Sequence, residues 1–185
     1  MTQPIHITTP LTGETARKLR AGDSVLISGV IYTGRDAAHK RMMEALDRGD
    51  KLPVELKDQI IYYVGPAPAK PGQAIGSAGP TTSGRMDAYT VRLLDQGLKG
   101  MVGKGYRSSE VVAAMQQHGA VYFAAIGGAA ALIAKAVKSY DVVAYADLGT
   151  EAIAKLRVEN FPAIVAIDSR GENFYEQGQK QYRQL

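Results

Sequence analysis

Apolar and polar positions along the chain alternate between two periods, one suited to strands and one to helices. Ser24–Tyr32 (SVLISGVIY) is apolar and rich in β-branched residues, and predicts a buried strand. Asp36–Leu46 follows with Ala38, Met42, Ala45 and Leu46 on one helical face. Ile60–Val64 predicts a short strand, and Met86–Gln96 a helix that Gly97 stops. Ser108–His118 predicts a further helix, with Ser108 as its N-cap and Gly119 at its end. Ala120–Ala125 reads as a strand, Ala129–Val137 as a helix of small residues, and Tyr140–Tyr145 and Ala163–Ile167 as two more buried strands. The expected architecture is α/β: one domain over residues 1–185, with a central mixed sheet flanked by helices. Gly65–Gly79 is rich in Pro, Gly and Ala and predicts a long surface loop between strands. The polar tail after Gly171, with its spaced aromatics, either docks as a short helix or frays.

Composition narrows the chemistry. With 185 residues the chain is long enough to bury a core without metals or disulfides. It contains no cysteine, so it forms no disulfide and offers no thiolate to a metal cluster. Its three histidines, His6, His39 and His118, are far apart in sequence, and no metal site of its own is expected. The net charge of +4 favours anionic partners, but the basic residues are dispersed among acids, and nucleic-acid binding is not expected. No stretch reaches the roughly 18 apolar residues of a membrane span. The start MTQPIHITTP has no basic segment leading into an apolar run, so a cytoplasmic location is expected.

Candidate chemistry gathers at turns beside the predicted strands. Thr33-Gly34-Arg35-Asp36 ends a strand and opens a helix, where unpaired N–H groups, the helix dipole and Arg35 together suit a carboxylate or phosphate. His39 lies one helical turn beyond Arg35. Gly79-Pro80-Thr81-Thr82-Ser83-Gly84-Arg85 sets three hydroxyls between glycines ahead of a helix, and lacks the order of a nucleotide-binding phosphate loop. Gly103-Lys104-Gly105 puts a point-charge donor in a turn that allows close approach. Ile126-Gly127-Gly128-Ala129-Ala130-Ala131 also follows a strand, and its small residues suit close packing or a close ligand. Each turn has an ordinary structural account as well: Asp36 capping a helix, a Ser/Thr N-cap, a surface lysine, tight helix–sheet packing. Taken together, two arginines, a lysine and several hydroxyls at strand-to-helix turns fit a small dicarboxylate, whose two charges need two separated cationic clamps.

The segments GRDAAHKR (34–41), GPTTSGRMD (79–87), the GKG turn at Lys104, IGGAAAL (126–132) and VENFPAIVAIDSRGENFY (158–175) occur in this order across nearly the whole chain. They resemble the β subunit, or C-terminal domain, of the class I iron–sulfur-dependent hydro-lyases of the fumarase/tartrate dehydratase type. The resemblance implies a swivelling α/β domain that closes over substrate. It implies a partner α subunit, in an α2β2-type assembly, that carries a [4Fe–4S] cluster on three cysteines, with no cofactor bound by this chain. It further implies that Arg35 and Arg85 clamp carboxylate, that Lys104 completes the anion site, and that Thr81 lies near the reacting carbons and takes part in proton transfer. His39 matches a family position as a substrate-binding candidate. In tartrate dehydratase β chains the first motif tends to hold Cys-Arg-Asp, and a Gly-Pro stands in place of Phe-Pro. Thr33-Gly34-Arg35-Asp36 and Asn160-Phe161-Pro162-Ala163 look like the fumarase side. The implied reaction is the reversible hydration of fumarate to L-malate. The alternatives are a tartrate dehydratase or mesaconase β subunit, and a non-catalytic anion-binding scaffold.

Overall fold

A computed structural model describes residues 3–125 and 130–182. Its strands are β1 (Ile5–Thr8), β2 (Ser24–Thr33), β3 (Ile60–Tyr62), β4 (Gly100–Gly103), β5 (Val121–Ala125), β6 (Val137–Ala144) and β7 (Ile153–Ile167). Its helices are α1 (Gly13–Lys18), α2 (Asp36–Asp47), α3 (Asp87–Asp95), α4 (Ser109–His118), α5 (Ala130–Ala136) and α6 (Phe174–Tyr182). Short 3-10 turns occupy Ser83–Met86 and Ala146–Glu151. The expected α/β class, with a mixed sheet flanked by helices, is what forms.

β2, β3, β4 and β5 pair in parallel in that order, and β1 adds to β2 in parallel. β7 runs antiparallel to both β5 and β2, so the ladder closes into a ring of β2, β3, β4, β5 and β7. Closure leaves β1 and β6 as the edges. Successive residues of a strand face opposite sides, and both sides of this ring are covered. Ile60, Tyr62, Val64, Val102, Val121, Phe123 and Phe161 join one apolar cluster with Ala16 of α1 and Ile133 of α5. Their neighbours Ile61, Tyr63, Met101 and Tyr122 join a second, beneath Met42 of α2, Leu94 of α3 and Met115 of α4.

Local chemistry accounts for the element ends. Ser108 caps α4, its hydroxyl accepting from the Val111 N–H at 3.3 Å, and Gly119 ends the helix in the left-handed region at φ 62°. The tail after Gly171 docks as α6. Two expectations need correction. The strand expected at Tyr140–Tyr145 as a buried one is β6, which among the described residues pairs only with β7 and leaves Val142 and Val143 exposed. A run of valines reads as buried in sequence whether or not a second layer covers it. The strand expected at Ala163–Ile167 is only the last third of β7, which begins at Ile153. Its first part alternates Ala154, Leu156 and Val158 inward with Lys155, Arg157 and Glu159 outward, a half-buried strand rather than an apolar run. The expected helix at Ala129–Val137 is α5, with Val137 already in β6. Residues 126–129 of the small-residue turn lie outside the described residues.

Candidate active site

Parallel pairing puts the C-terminal ends of β2, β3 and β4 on one edge of the ring, the edge where ligands bind in open α/β sheets. Arg35 follows β2, the loop holding Thr81 returns to the end of β3, and Lys104 follows β4. Backbone bonds fasten the three turns together. The Gly34 N–H donates to the Tyr62 carbonyl (3.1 Å) and the Thr81 N–H to the Tyr63 carbonyl (2.7 Å). The Ser83 N–H donates to the Lys104 carbonyl (2.9 Å), and Thr82 and Lys104 form a parallel bridge. At Gly103 the approach is so close that a Cβ would lie 1.9 Å from Ser83 Oγ. This glycine is therefore required for the Thr81 loop to dock beside Lys104.

Arg35, Thr81, Arg85 and Lys104 are thus brought together. Arg35 is largely buried, with a side-chain exposure of 24%, and it packs across Gly65, where a Cβ would lie 3.0 Å from Arg35 Nη1. Thr81 is half-buried; Lys104 and Arg85 are exposed. Asp36 joins the two arginines: its Oδ1 accepts from Arg85 Nε at 3.0 Å, and its Oδ2 lies 3.8 Å from Arg35 Nη2. Asp36 does not cap α2 in the expected way. Arg35 occupies the N-cap position without a side-chain cap bond, and Glu151 Oε2, from the 3-10 turn before β7, accepts the Ala37 N–H at 2.9 Å. Glu151 Oε1 also lies 3.6 Å from Arg35 Nη2. Nothing local in the sequence marks Glu151, which is 114 residues from the helix it serves.

His39 takes a different place from the other four. It is fully buried, between Tyr63 (ring centroids 5.4 Å apart) and Tyr89 (5.9 Å). Its Nδ1 lies 2.8 Å from the Arg35 carbonyl, which only accepts, so Nδ1 carries the proton. His39 thus supports the backbone of Arg35 from behind, and its Nε2, also buried, meets no hydrogen-bond partner among the described residues. Burial pushes its pKa down to about 4 despite that hydrogen bond, and the charge of Arg107 adds to the lowering. The native state keeps His39 neutral while the unfolded chain protonates it near pH 6.5. Stability from this group is complete above pH 6.5 and falls as the pH drops towards 4. We expect urea unfolding to show a loss of about 2 kcal/mol between pH 7 and pH 5 from this residue. A His39→Gln variant should lack that increment, and identical pH dependence in the two proteins would refute the assignment.

Beneath the turns lies a buried polar cluster that the sequence did not reveal. Arg107, with no exposed side-chain surface, donates to Asp87 Oδ1 (2.6 Å) and Thr90 Oγ1 (2.7 Å). Its guanidinium lies over the rings of Tyr122 (5.1 Å) and Tyr63 (5.5 Å). Burial works against its charge, but Tyr63, Asp87 and Tyr122 leave its pKa raised. The Tyr122 hydroxyl lies 2.9 Å from both Ser83 Oγ and the Gly105 carbonyl, spanning the Thr81 loop and the Lys104 turn. No group of three or more His, Cys, Asp or Glu side chains among the described residues could hold a metal ion.

Comparison with known proteins gives a consistent set of relatives. Residues 1–178 match the family described as Fumarase C-terminus. The chain is 46% identical over 153 residues to the aerobic class I fumarate hydratase of Escherichia coli K12, covering 82% of this chain and 28% of that protein. It is 41% identical over 156 residues to fumarate hydratase 2 of Leishmania major, covering 83% and 28%. It is 42% identical over 182 residues to a Methanocaldococcus jannaschii chain provisionally named L(+)-tartrate dehydratase subunit beta, covering 95% and 93%. The chain therefore spans little more than a quarter of the two fumarate hydratases and nearly all of the archaeal subunit.

Proposed function

The chain belongs to the Fumarase C-terminus family, and from that premise we propose that it is the β subunit, or C-terminal domain, of a hydro-lyase that reversibly hydrates fumarate to L-malate. The observation that carries this reading is the convergence of Arg35 and Arg85 on one carboxylate, Asp36, at the edge that also holds Thr81 and Lys104. Two guanidinium groups and an ammonium there provide the separated cations that a dicarboxylate needs. The face is half of a site, since Arg85 and Lys104 stand open to solvent and a second surface is needed to exclude water.

The roles proposed for this chain's own residues follow from position. Arg35, fixed at the root of α2 and backed by His39, binds one carboxylate. Arg85 and Lys104 bind the other. The Thr81 hydroxyl moves the proton at the carbon next to the hydroxylated one, its developing negative charge stabilised by the neighbouring cations. A [4Fe–4S] cluster, implied by the resemblance, does not fit this chain, which has no cysteine and no described set of metal-binding side chains. We place the cluster on a partner α subunit and assign the complex to the cytoplasm; among the described residues no helix is long and apolar enough to cross a membrane.

A second reading has specific support: the archaeal relative that this chain matches almost end to end bears a tartrate dehydratase subunit name. One experiment separates the readings. The chain is assayed anaerobically, alone and with an α partner, on fumarate, L-malate, mesaconate and L(+)-tartrate. Hydration of fumarate only in the mixture is expected. Preference for tartrate would favour the second reading, and inactivity on all four acids with competent α partners would reject both.

A further inference from the structure

The acid in the middle of a site built for acids calls for an explanation. Asp36 opens α2, where a carboxylate ordinarily serves the helix N-terminus. Here Glu151 takes the Ala37 N–H instead, so Asp36 is released from helix duty. Its side chain is 29% exposed and is directed to two cations, its chain neighbour Arg35 and Arg85, 49 residues away. Left alone, a carboxylate beside Arg35 and Arg85 would compete with any dicarboxylate for them. Its geometry resolves the conflict. The bond from Arg85 runs through Nε, which fixes the rotation of that guanidinium and leaves Nη1 and Nη2 for a bidentate acceptor. Oδ2, by contrast, is 3.8 Å from Arg35 Nη2, a distance of charge attraction and not of hydrogen bonding. Asp36 Oδ2 and Arg35 Nε are both buried without a hydrogen-bond partner among the described residues. Arg85 is therefore oriented by Asp36, while Arg35 is held near it by the charges of Asp36 and Glu151.

We propose that Asp36 is a positioning and specificity-determining residue: shared between Arg35 and Arg85, it fixes the orientation of one clamp and the separation of the two, and so selects dicarboxylates by the distance between their carboxylates. This rests on the functional reading above, in which the two arginines bind substrate. Removing Asp36 also removes the charge that offsets the mutual repulsion of the guanidinium groups.

The test uses the α–β complex and two measurements. The first is the steady-state hydration of fumarate. The second is calorimetric binding of malonate, succinate and glutarate, which differ in carboxylate spacing and need no turnover. In the wild type succinate is expected to bind more tightly than the other two. Asp36→Ala should raise KM for fumarate about tenfold or more with a smaller change in kcat, and should weaken succinate by a similar factor. The preference among the three acids should shrink towards equality. Asp36→Asn keeps an oxygen for Arg85 but not the charge, and should fall between the two in both measurements. An unchanged preference for succinate in Asp36→Ala overturns the inference, as does an equal loss for all three acids with a lowered unfolding temperature, which marks a merely structural residue. In either case an active, dicarboxylate-binding wild type leaves the functional reading standing. A wild-type complex that neither hydrates fumarate nor binds these acids overturns both.

Discussion

Thr81→Ala, assayed in the assembled complex, is expected to cut kcat for fumarate hydration about a hundredfold or more while KM changes little. The reason lies in how the residue is held. Its backbone N–H donates to the Tyr63 carbonyl at 2.7 Å, the next residue bridges to Lys104, and Ser83 is pinned by both Lys104 and Tyr122. Deleting the hydroxyl therefore leaves the loop in place and removes only the group proposed to move the proton. A threonine is a poor base at its ordinary pKa, and it can act only where positive charge stabilises its oxygen. Lys104 and Arg85 flank it on the same fastened turns. Thr81→Ser, which keeps the hydroxyl, should retain most of the rate. If the Ala variant instead loses affinity and keeps kcat, Thr81 only hydrogen-bonds a carboxylate and the proton must move by another group.

The positions of Arg35, Thr81, Arg85 and Lys104 were legible because each sits in a glycine-bearing turn next to a strand or helix that the apolar pattern marks strongly. Parallel pairing then places such turns on one edge without further information. What could not be read is everything that depends on contact between distant segments. Asp36 reads as a helix cap from its neighbours and becomes a bridge only because Glu151 arrives from the other end of the chain. Arg107 carries no sequence expectation, because its burial with Asp87 is a property of the packed helices. His39 reads as one helical turn beyond Arg35, and its complete burial between Tyr63 and Tyr89 comes only with packing.

Phe161 gives the same lesson about motifs taken from resemblance. Phe-Pro in that segment was a marker for the fumarase side over the tartrate side. In the fold Phe161 is fully buried and meets Tyr62 edge-on at 5.2 Å between centroids. The Tyr62 hydroxyl donates to the carbonyl of Ala78, just ahead of Gly79-Pro80-Thr81. If this residue bears on substrate choice, it does so by supporting the loop from the core, and no contact with substrate is implied. Under the proposed function, discrimination between fumarate and tartrate falls to the edge where Asp36 and the arginines lie.

The largest effect on stability is expected at Arg107. Arg107→Met fills much of the same volume but leaves the Asp87 carboxylate, only 16% exposed, with a single remaining donor among the described residues, the Ser108 N–H at 2.7 Å. Breaking a buried pair by removing one partner costs about 3–5 kcal/mol, because the other charge stays desolvated. For a chain of this length that corresponds to a fall in Tm on the order of 10 °C. The loss should not stop at stability. Asp87 opens α3 directly after the turn that carries Ser83 and Arg85, and Arg107 also supports the Tyr122 ring whose hydroxyl meets Ser83 and Gly105. If the chain binds a dicarboxylate as proposed, Arg107→Met should therefore raise its KM as well, although the Arg107 side chain has no exposed surface. Replacing both partners, as Arg107→Met with Asp87→Asn, removes the stranded charge and should recover part of the lost Tm without recovering KM. Thermal unfolding of the two variants beside the wild type decides the point: a single variant within about 2 °C of wild type would show that the buried pair is not what fastens these turns together.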